Sequence, residues 1–243
     1  MKKILIFLVG ILLLSSKAFA TLISTTTTNL IPFPGTSLYQ DSTFQNDTSM
    51  YSLYEATNYV VGKSGLKVDL NAPGTYTKTA LNTDPTQAGK YSISAGTPIN
   101  SYFIHFNPLD PFFGSTQVNL KASLTFDSTE KILGIMTSMP SLSASNALVG
   151  LAGITYHPST FGDIGLDKQS DILKWTLNAD GSTTLDLNLY VGKNALDEVR
   201  VITSGVAPVT EPAAPVPEPA TMLLLGSGLI GLAGFGRKKL RRR

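Results

Sequence analysis

The chain is predicted to be all-β: an antiparallel β-sandwich (jelly-roll-like) followed by a Pro-rich linker and a single C-terminal transmembrane helix. Three observations predict this. Apolar residues recur with a period of two in several short segments, and clusters of Gly, Pro, Asn and Asp separate those segments. No segment sustains a helical apolar period for twelve residues, with Asp41–Ala56 the best candidate for one. Nine or ten strands with no helices between them are the pattern of two packed sheets. No internal repeat of fixed period is present.

Taken in order, residues 1–20 (MKKILIFLVGILLLSSKAFA) are a secretory signal. Lys2 and Lys3 precede an apolar run from Ile4 to Leu14, and Ala18 and Ala20 supply the small residues of a cleavage site. That run falls short of the roughly 20 residues that span a bilayer. Residues 21–29, with four threonines in a row, read as a flexible leader or an edge strand, and the ectodomain is placed at 30–204. Its clearest strand is Val118–Phe126, where Val118, Leu120, Ala122, Leu124 and Phe126 alternate with polar residues. Next clearest is a hairpin of Ile172–Leu177 and Thr183–Val191. The hairpin turns through Asn178-Ala179-Asp180-Gly181-Ser182, whose Asp-Gly tolerates the positive φ of a tight loop. Shorter candidate strands are Ser52–Val61, Leu66–Leu70, Tyr91–Ser94, Tyr102–Phe106, Lys131–Met136, Leu148–Tyr156 and Val199–Thr203.

Residues 205–216 form the linker. Gly205–Pro217 holds four prolines and reads as an extended, semi-rigid spacer. Residues 220–236 carry no charge and reach about 25 Å as a helix, at the short end for a bilayer span. Arg237, Lys238, Lys239, Arg241, Arg242 and Arg243 follow, and their long side chains make up the deficit by snorkelling while holding the C-terminus on the cytoplasmic side. Gly226-Ser227-Gly228-Leu229-Ile230-Gly231 matches G-x-G-x-x-G by accident. A dinucleotide fingerprint follows a strand and precedes an acidic residue about 20 positions on, and here the chain runs into arginines instead.

Charge and composition exclude several classes. Of 19 Lys+Arg, three lie in the signal and six in the tail, and 21–209 keeps 15 of the 17 Asp+Glu, so that stretch has a net charge of about −5. With no basic patch left, nucleic acid is excluded as a partner. There is no cysteine, so disulfides, thiolate zinc sites and acylation on an N-terminal Cys are excluded. A chain of this length buries enough surface to fold without such staples.

The order Pro217-Glu218-Pro219, apolar Gly-rich segment, then basic cluster, paired with a signal peptide, resembles the PEP-CTERM sorting signal over residues 217–243. Pro217, Glu218 and Pro219 match its triplet position by position. The resemblance implies an exosortase as processing partner, anchoring in the inner membrane before processing, and display at the cell surface or release from Gram-negative cells that make exopolysaccharide. Ser101–Pro108, Ile132–Ile135 and Leu196–Thr203 also resemble a group of exported proteins that carry this tail. That likeness supports a domain and implies no chemistry.

In the ectodomain the two histidines, His105 and His157, have no G-x-S-x-G, H-E-x-x-H or phosphate-loop motif beside them and read as structural hydrogen-bonding residues. Asp163, Asp167 and Asp171 surround Gly165 and are candidate calcium ligands, but their spacing is not that of an EF-hand, and a solvated acidic loop is the simpler reading. Tyr39, Tyr51, Tyr54 and Tyr59 are candidate sugar-stacking aromatics, although tyrosines on strands more often face a core. Trp175 is assigned to the core. The expectation is a non-enzymatic surface or matrix protein that uses no cofactor and is associated with exopolysaccharide in biofilm. A carbohydrate-binding module, calcium-dependent or not, is the alternative, and a polysaccharide hydrolase with a carboxylate pair is a further one.

Overall fold

Strict alternation builds the first sheet. In the computed structural model, which describes residues 25–38, 45–77, 88–108, 118–157, 165–166, 170–191 and 196–206, β8 (Val118–Phe126) and β11 (Thr183–Val191) pair antiparallel over their full length. Leu185, Leu187 and Leu189 lie opposite Leu124, Ala122 and Leu120, all buried. The other face carries polar cross-strand pairs: Ser123 donates to Asp186 at 2.9 Å, Thr125 meets Thr184 at 3.1 Å, and Asn119 donates to Asn188 at 2.9 Å. The sheet order is β1-β8-β11-β10-β5, with β1 at Thr25–Thr28, β5 at Gly74–Thr77 and β10 at Ile172–Leu177, antiparallel throughout. Residues 25–28, read from sequence as leader or edge strand, are thus an edge strand on β8. The β10–β11 turn is closed by Asn178 N–H to Ser182 O at 2.8 Å, and Gly181 takes φ +83°. Asp180 accepts from the Ser182 hydroxyl and N–H, which hold its carboxyl below the usual range.

The second sheet has the order β2-β3-β7-β12-β9: Leu30–Pro32, Met50–Val60, Pro98–Phe106, Asp197–Ser204 and Ile132–Met136. Its pairs are antiparallel except β2–β3. Here alternation is lost, because β7 and β12 are buried on both faces. Tyr102, Ile104, Phe106, Val199 and Val201 join Leu124, Trp175, Leu185 and Leu187 of the first sheet in one apolar cluster. The opposite face presents Phe103 and Ile202, which pack with Leu142 and Val149 of a helix and with Leu66, Val68 and Ile93 of a small sheet, β4 (Leu66–Val68) and β6 (Tyr91–Ile93). Full burial of each such side chain stabilises by about 1.5–3 kcal/mol, which is why both faces of this sheet carry large apolar residues near its centre.

A helix, α1 (Met139–Val149), lies between β9 and β10, where the sequence reading has strands with no helices between them. The strand placed at Leu148–Tyr156 is absent: α1 ends at Val149, and of 150–156 only Thr155 bridges another segment, Ser37. Of the helical candidate Asp41–Ala56, residues 50–56 are the start of β3 and 45–49 are a loop before it. The buried side of α1 is Ser141, Leu142, Ser145 and Val149, half of it serine, so no apolar stripe marks it in the sequence. Pro140 suits the first turn. The N-cap Ser138 makes no side-chain cap, and a distant carboxylate fixes the chain at the helix entry instead. Asp69 accepts the Thr137 and Ser138 N–H groups, each at 2.8 Å, the Ser141 hydroxyl at 2.5 Å and the Gly89 N–H at 2.7 Å. The strand read as Leu66–Leu70 changes partner at this Asp: Leu66–Val68 pairs with β6, and Leu70 bridges Ile135 of β9. Gly134 lets β4 approach β9, since a Cβ there would lie 2.7 Å from the Val68 side chain.

The signal peptide with Ala18 and Ala20, the linker from residue 207 on, the 217–219 triplet, the 220–236 helix and the basic cluster all lie outside the described residues. Among the described residues, no helix is long and apolar enough to cross a membrane.

Candidate functional site

The helix-side face of the second sheet also carries charge. Register places Glu198 opposite His105 and Arg200 opposite Phe103, while Tyr51 and Leu53 of β3 lie opposite His105 and Phe103. Alternation then puts Glu198, Arg200 and Ile202 of β12 on one face with His105, Phe103 and Ser101 of β7.

Arg200, 0 % exposed, is the centre of this face. Its Nε and Nη2 donate to the two Glu55 carboxylate oxygens at 2.7 Å each, a bidentate fork. Nη1 donates to Leu142 O at 3.0 Å and to the Ser145 hydroxyl, and Nη2 also reaches Asn146 Oδ1 at 2.9 Å, all on α1. The guanidinium lies over the Phe103 ring at 4.8 Å and the Tyr156 ring at 5.4 Å. Burial would pull its pKa down, but the Glu55 carboxylate outweighs that and raises it. Glu55 also accepts from the Ser101 hydroxyl at 2.7 Å and the Tyr156 hydroxyl at 2.5 Å. Burial, with Glu55 adjacent, pushes the Tyr156 phenol above its ordinary range.

Beside this network lies a second cluster. Glu198 Oε1 is 3.1 Å from His105 Nδ1 and 2.9 Å from His157 Nδ1, and all three residues are at most 3 % exposed. The two imidazoles are near-parallel, 5.8 Å between centroids and 20° between planes, and Phe33 sets its edge against His105 at 6.5 Å. Burial would raise the Glu198 carboxyl, but the bonds from the two histidines outweigh it and hold the pKa at about 2. The three donor atoms lie within 4.8 Å of one another, so the cluster has the composition and size to hold a metal ion.

His105 and His157, expected as hydrogen-bonding residues, do bond, and they converge on one carboxylate. Glu55, Glu198 and Arg200 escape the sequence reading, because a charged side chain in or beside the short candidate strands Ser52–Val61 and Val199–Thr203 reads as solvent-facing. Among the calcium candidates, Asp163 and Asp167 lie outside the described residues, while Asp171 is fully buried rather than solvated, its Oδ1 accepting the Tyr190 N–H at 2.7 Å. Of the candidate stacking tyrosines, Tyr51 is buried, Tyr54 stacks on Tyr102 at 4.7 Å and 28°, Tyr59 is half-buried, and Tyr39 lies outside the described residues. Trp175 is in the core, as expected.

Residues 215–242 match the family described as the PEP-CTERM protein-sorting motif. The motif marks an exported protein, anchored in the membrane before processing and sorted to the surface with an exosortase as processing partner. No curated protein and no solved structure matches the chain.

Proposed function

We propose that the exported domain is a non-enzymatic β-sandwich of jelly-roll type that serves the envelope or extracellular matrix, associated there with the exopolysaccharide of the producing cell. One observation carries the reading: the buried carboxylates Glu55 and Glu198 are committed to buried partners within the fold. Glu55 takes four donors, from Arg200 Nε and Nη2, Ser101 and Tyr156, and Glu198 takes two imidazoles. A hydrolytic carboxylate pair needs one acid and one base facing substrate. Glu55 and Glu198 instead face inward, between sheet and helix or against buried histidines. In this reading residues 1–20 are removed as a signal peptide, 220–236 spans the inner membrane until processing, and the linker holds the domain away from the surface. The test is co-sedimentation of the processed protein with exopolysaccharide from its own host, with reducing ends assayed in parallel. Co-sedimentation without new reducing ends is expected, and release of reducing ends overturns the non-enzymatic assignment.

A further inference from the structure

We propose that His105, His157 and Glu198 bind one divalent first-row transition-metal ion, zinc foremost, as a clamp between the second sheet and the chain at residue 157. The chain has two histidines in 243 residues, and the fold brings both to one carboxylate from 93 and 41 positions away. Each presents the same ring atom, Nδ1, to the same oxygen.

The spacing suits a metal. With bonds of about 2.1 Å, neighbouring ligand atoms sit about 3.0 Å apart at a right angle and about 3.4 Å apart at the tetrahedral angle. The two nitrogen–oxygen edges, 2.9 and 3.1 Å, require movements of a few tenths of an ångström, and the nitrogen–nitrogen edge, within 4.8 Å, closes to about 3.4 Å when the two rings turn toward a shared ion. Two imidazoles and a carboxylate are the donor set that zinc and its neighbours accept, and the thiolate alternative does not exist in this chain.

Charge points the same way. The helix-side face buries two carboxylates, Glu55 and Glu198, and one guanidinium, and Arg200 spends its fork on Glu55. Glu198 is a carboxylate that the two imidazoles hold ionised against its burial, and a cation beside it would balance that buried charge further. A divalent ion held by Glu198 and two neutral histidines supplies that balance and fixes both ring orientations. The site is also pre-set: His105 and Glu198 are opposed in β-register, and Tyr156, next to His157, is anchored through its hydroxyl to Glu55 and to the Leu151 N–H at 2.8 Å.

The experiment uses the full chain without a histidine tag, purified in detergent, stripped with chelator and titrated with Co²⁺. Expected is one Co²⁺ per chain with visible d–d absorption, displaced by Zn²⁺, and paramagnetically shifted imidazole protons. Because the chain has two histidines, those protons identify the ligands without any mutant. At about a hundredfold excess over Kd, zinc should raise Tm by about 5–10 °C. His157→Gln and Glu198→Gln should each weaken Co²⁺ binding at least a hundredfold. Failure of the wild-type chain to retain stoichiometric Co²⁺, or retention without d–d intensity and shifted imidazoles, overturns the site and leaves the contacts as hydrogen bonds between two imidazoles and one carboxylate. Undiminished binding in both variants overturns it equally.

Discussion

Replacing Arg200 with methionine isolates what the buried charge contributes to stability. Methionine keeps the aliphatic stem and sends its thioether and methyl toward the space of the guanidinium that lies over the Phe103 and Tyr156 rings, which limits the cavity. What is lost is the fork to Glu55 and the bonds to Leu142 O, Ser145 and Asn146 on α1. Glu55 then remains buried as a carboxylate with only the Ser101 and Tyr156 hydroxyls as donors. Removing one partner of such a pair costs about 3–5 kcal/mol, against a total stability of about 5–15 kcal/mol for a typical domain. At this chain length that corresponds to a fall in Tm of about 6–20 °C. Glu55→Gln alone orphans the guanidinium and should cost a similar amount. The double variant orphans no charge and should sit only about 1–2 kcal/mol below wild type, because Gln still accepts from Ser101 and Tyr156. Urea unfolding followed by circular dichroism on the processed protein measures all four corners of the cycle. An Arg200→Met cost under about 1 kcal/mol, or single costs that simply add in the double variant, would refute the reasoning.

Alkaline pH should unfold the domain through its phenols. Burial, then the bond from its hydroxyl to Glu130 at 2.7 Å, raises the Tyr102 pKa above the ordinary 10. Above pH 10 the unfolded chain therefore releases a proton that the folded chain retains, and stability falls by up to about 1.4 kcal/mol per pH unit from this residue. Tyr102→Phe should flatten that fall in pH-dependent melts, and an unchanged slope would refute it. Gly181→Ala forces a side chain to φ +83° and should cost about 1 kcal/mol in urea melts, with a neutral result showing that the turn relaxes. Changing Pro217, Glu218 and Pro219 together to Ala should leave the precursor full-length in the inner membrane of an exosortase-bearing host. Wild type should lose its tail, and mass spectrometry of the mature C-terminus checks the difference.

The sequence exposes the first sheet and hides the second face of the other. β8, β10 and β11 were legible residue by residue because one face is wet, so burial is written as alternation. β7 and β12 are covered on both sides, and their polar residues His105, Ser101, Glu198 and Arg200 sit at buried positions. Pattern reading assigns such residues to solvent, so nothing local marks Glu198 and Arg200 of β12 as buried. α1 was invisible for a related reason: Ser141 and Ser145 occupy buried positions because they bond Asp69 and Arg200, which no local periodicity records. The histidines were legible as candidates, but their common partner lies 93 and 41 residues away and becomes visible only through β-register and the fold of the 150–157 segment.

Those same polar residues explain how a chain without cysteine fixes its outer layer. The apolar contacts between the second sheet and α1, β4 and β6 are non-directional, and Leu142 or Val68 would pack nearly as well after a small slide or rotation. The polar residues do not tolerate such a slide. Asp69 takes its four donors from the β6 approach at Gly89, the helix entry at Thr137 and Ser138, and the first turn at Ser141, and only one placement of these segments satisfies all of them. Arg200 demands Glu55 on β3 and three acceptors on successive turns of α1 in the plane of one guanidinium. Glu198 ties His157 to the strand pair on which His105 sits. Each hub collects groups from two or more elements, so an error in placing any one of them strands a buried polar atom at about 1–3 kcal/mol. Apolar area holds the layer against the sheet, and this penalty on every wrong arrangement selects the position it occupies.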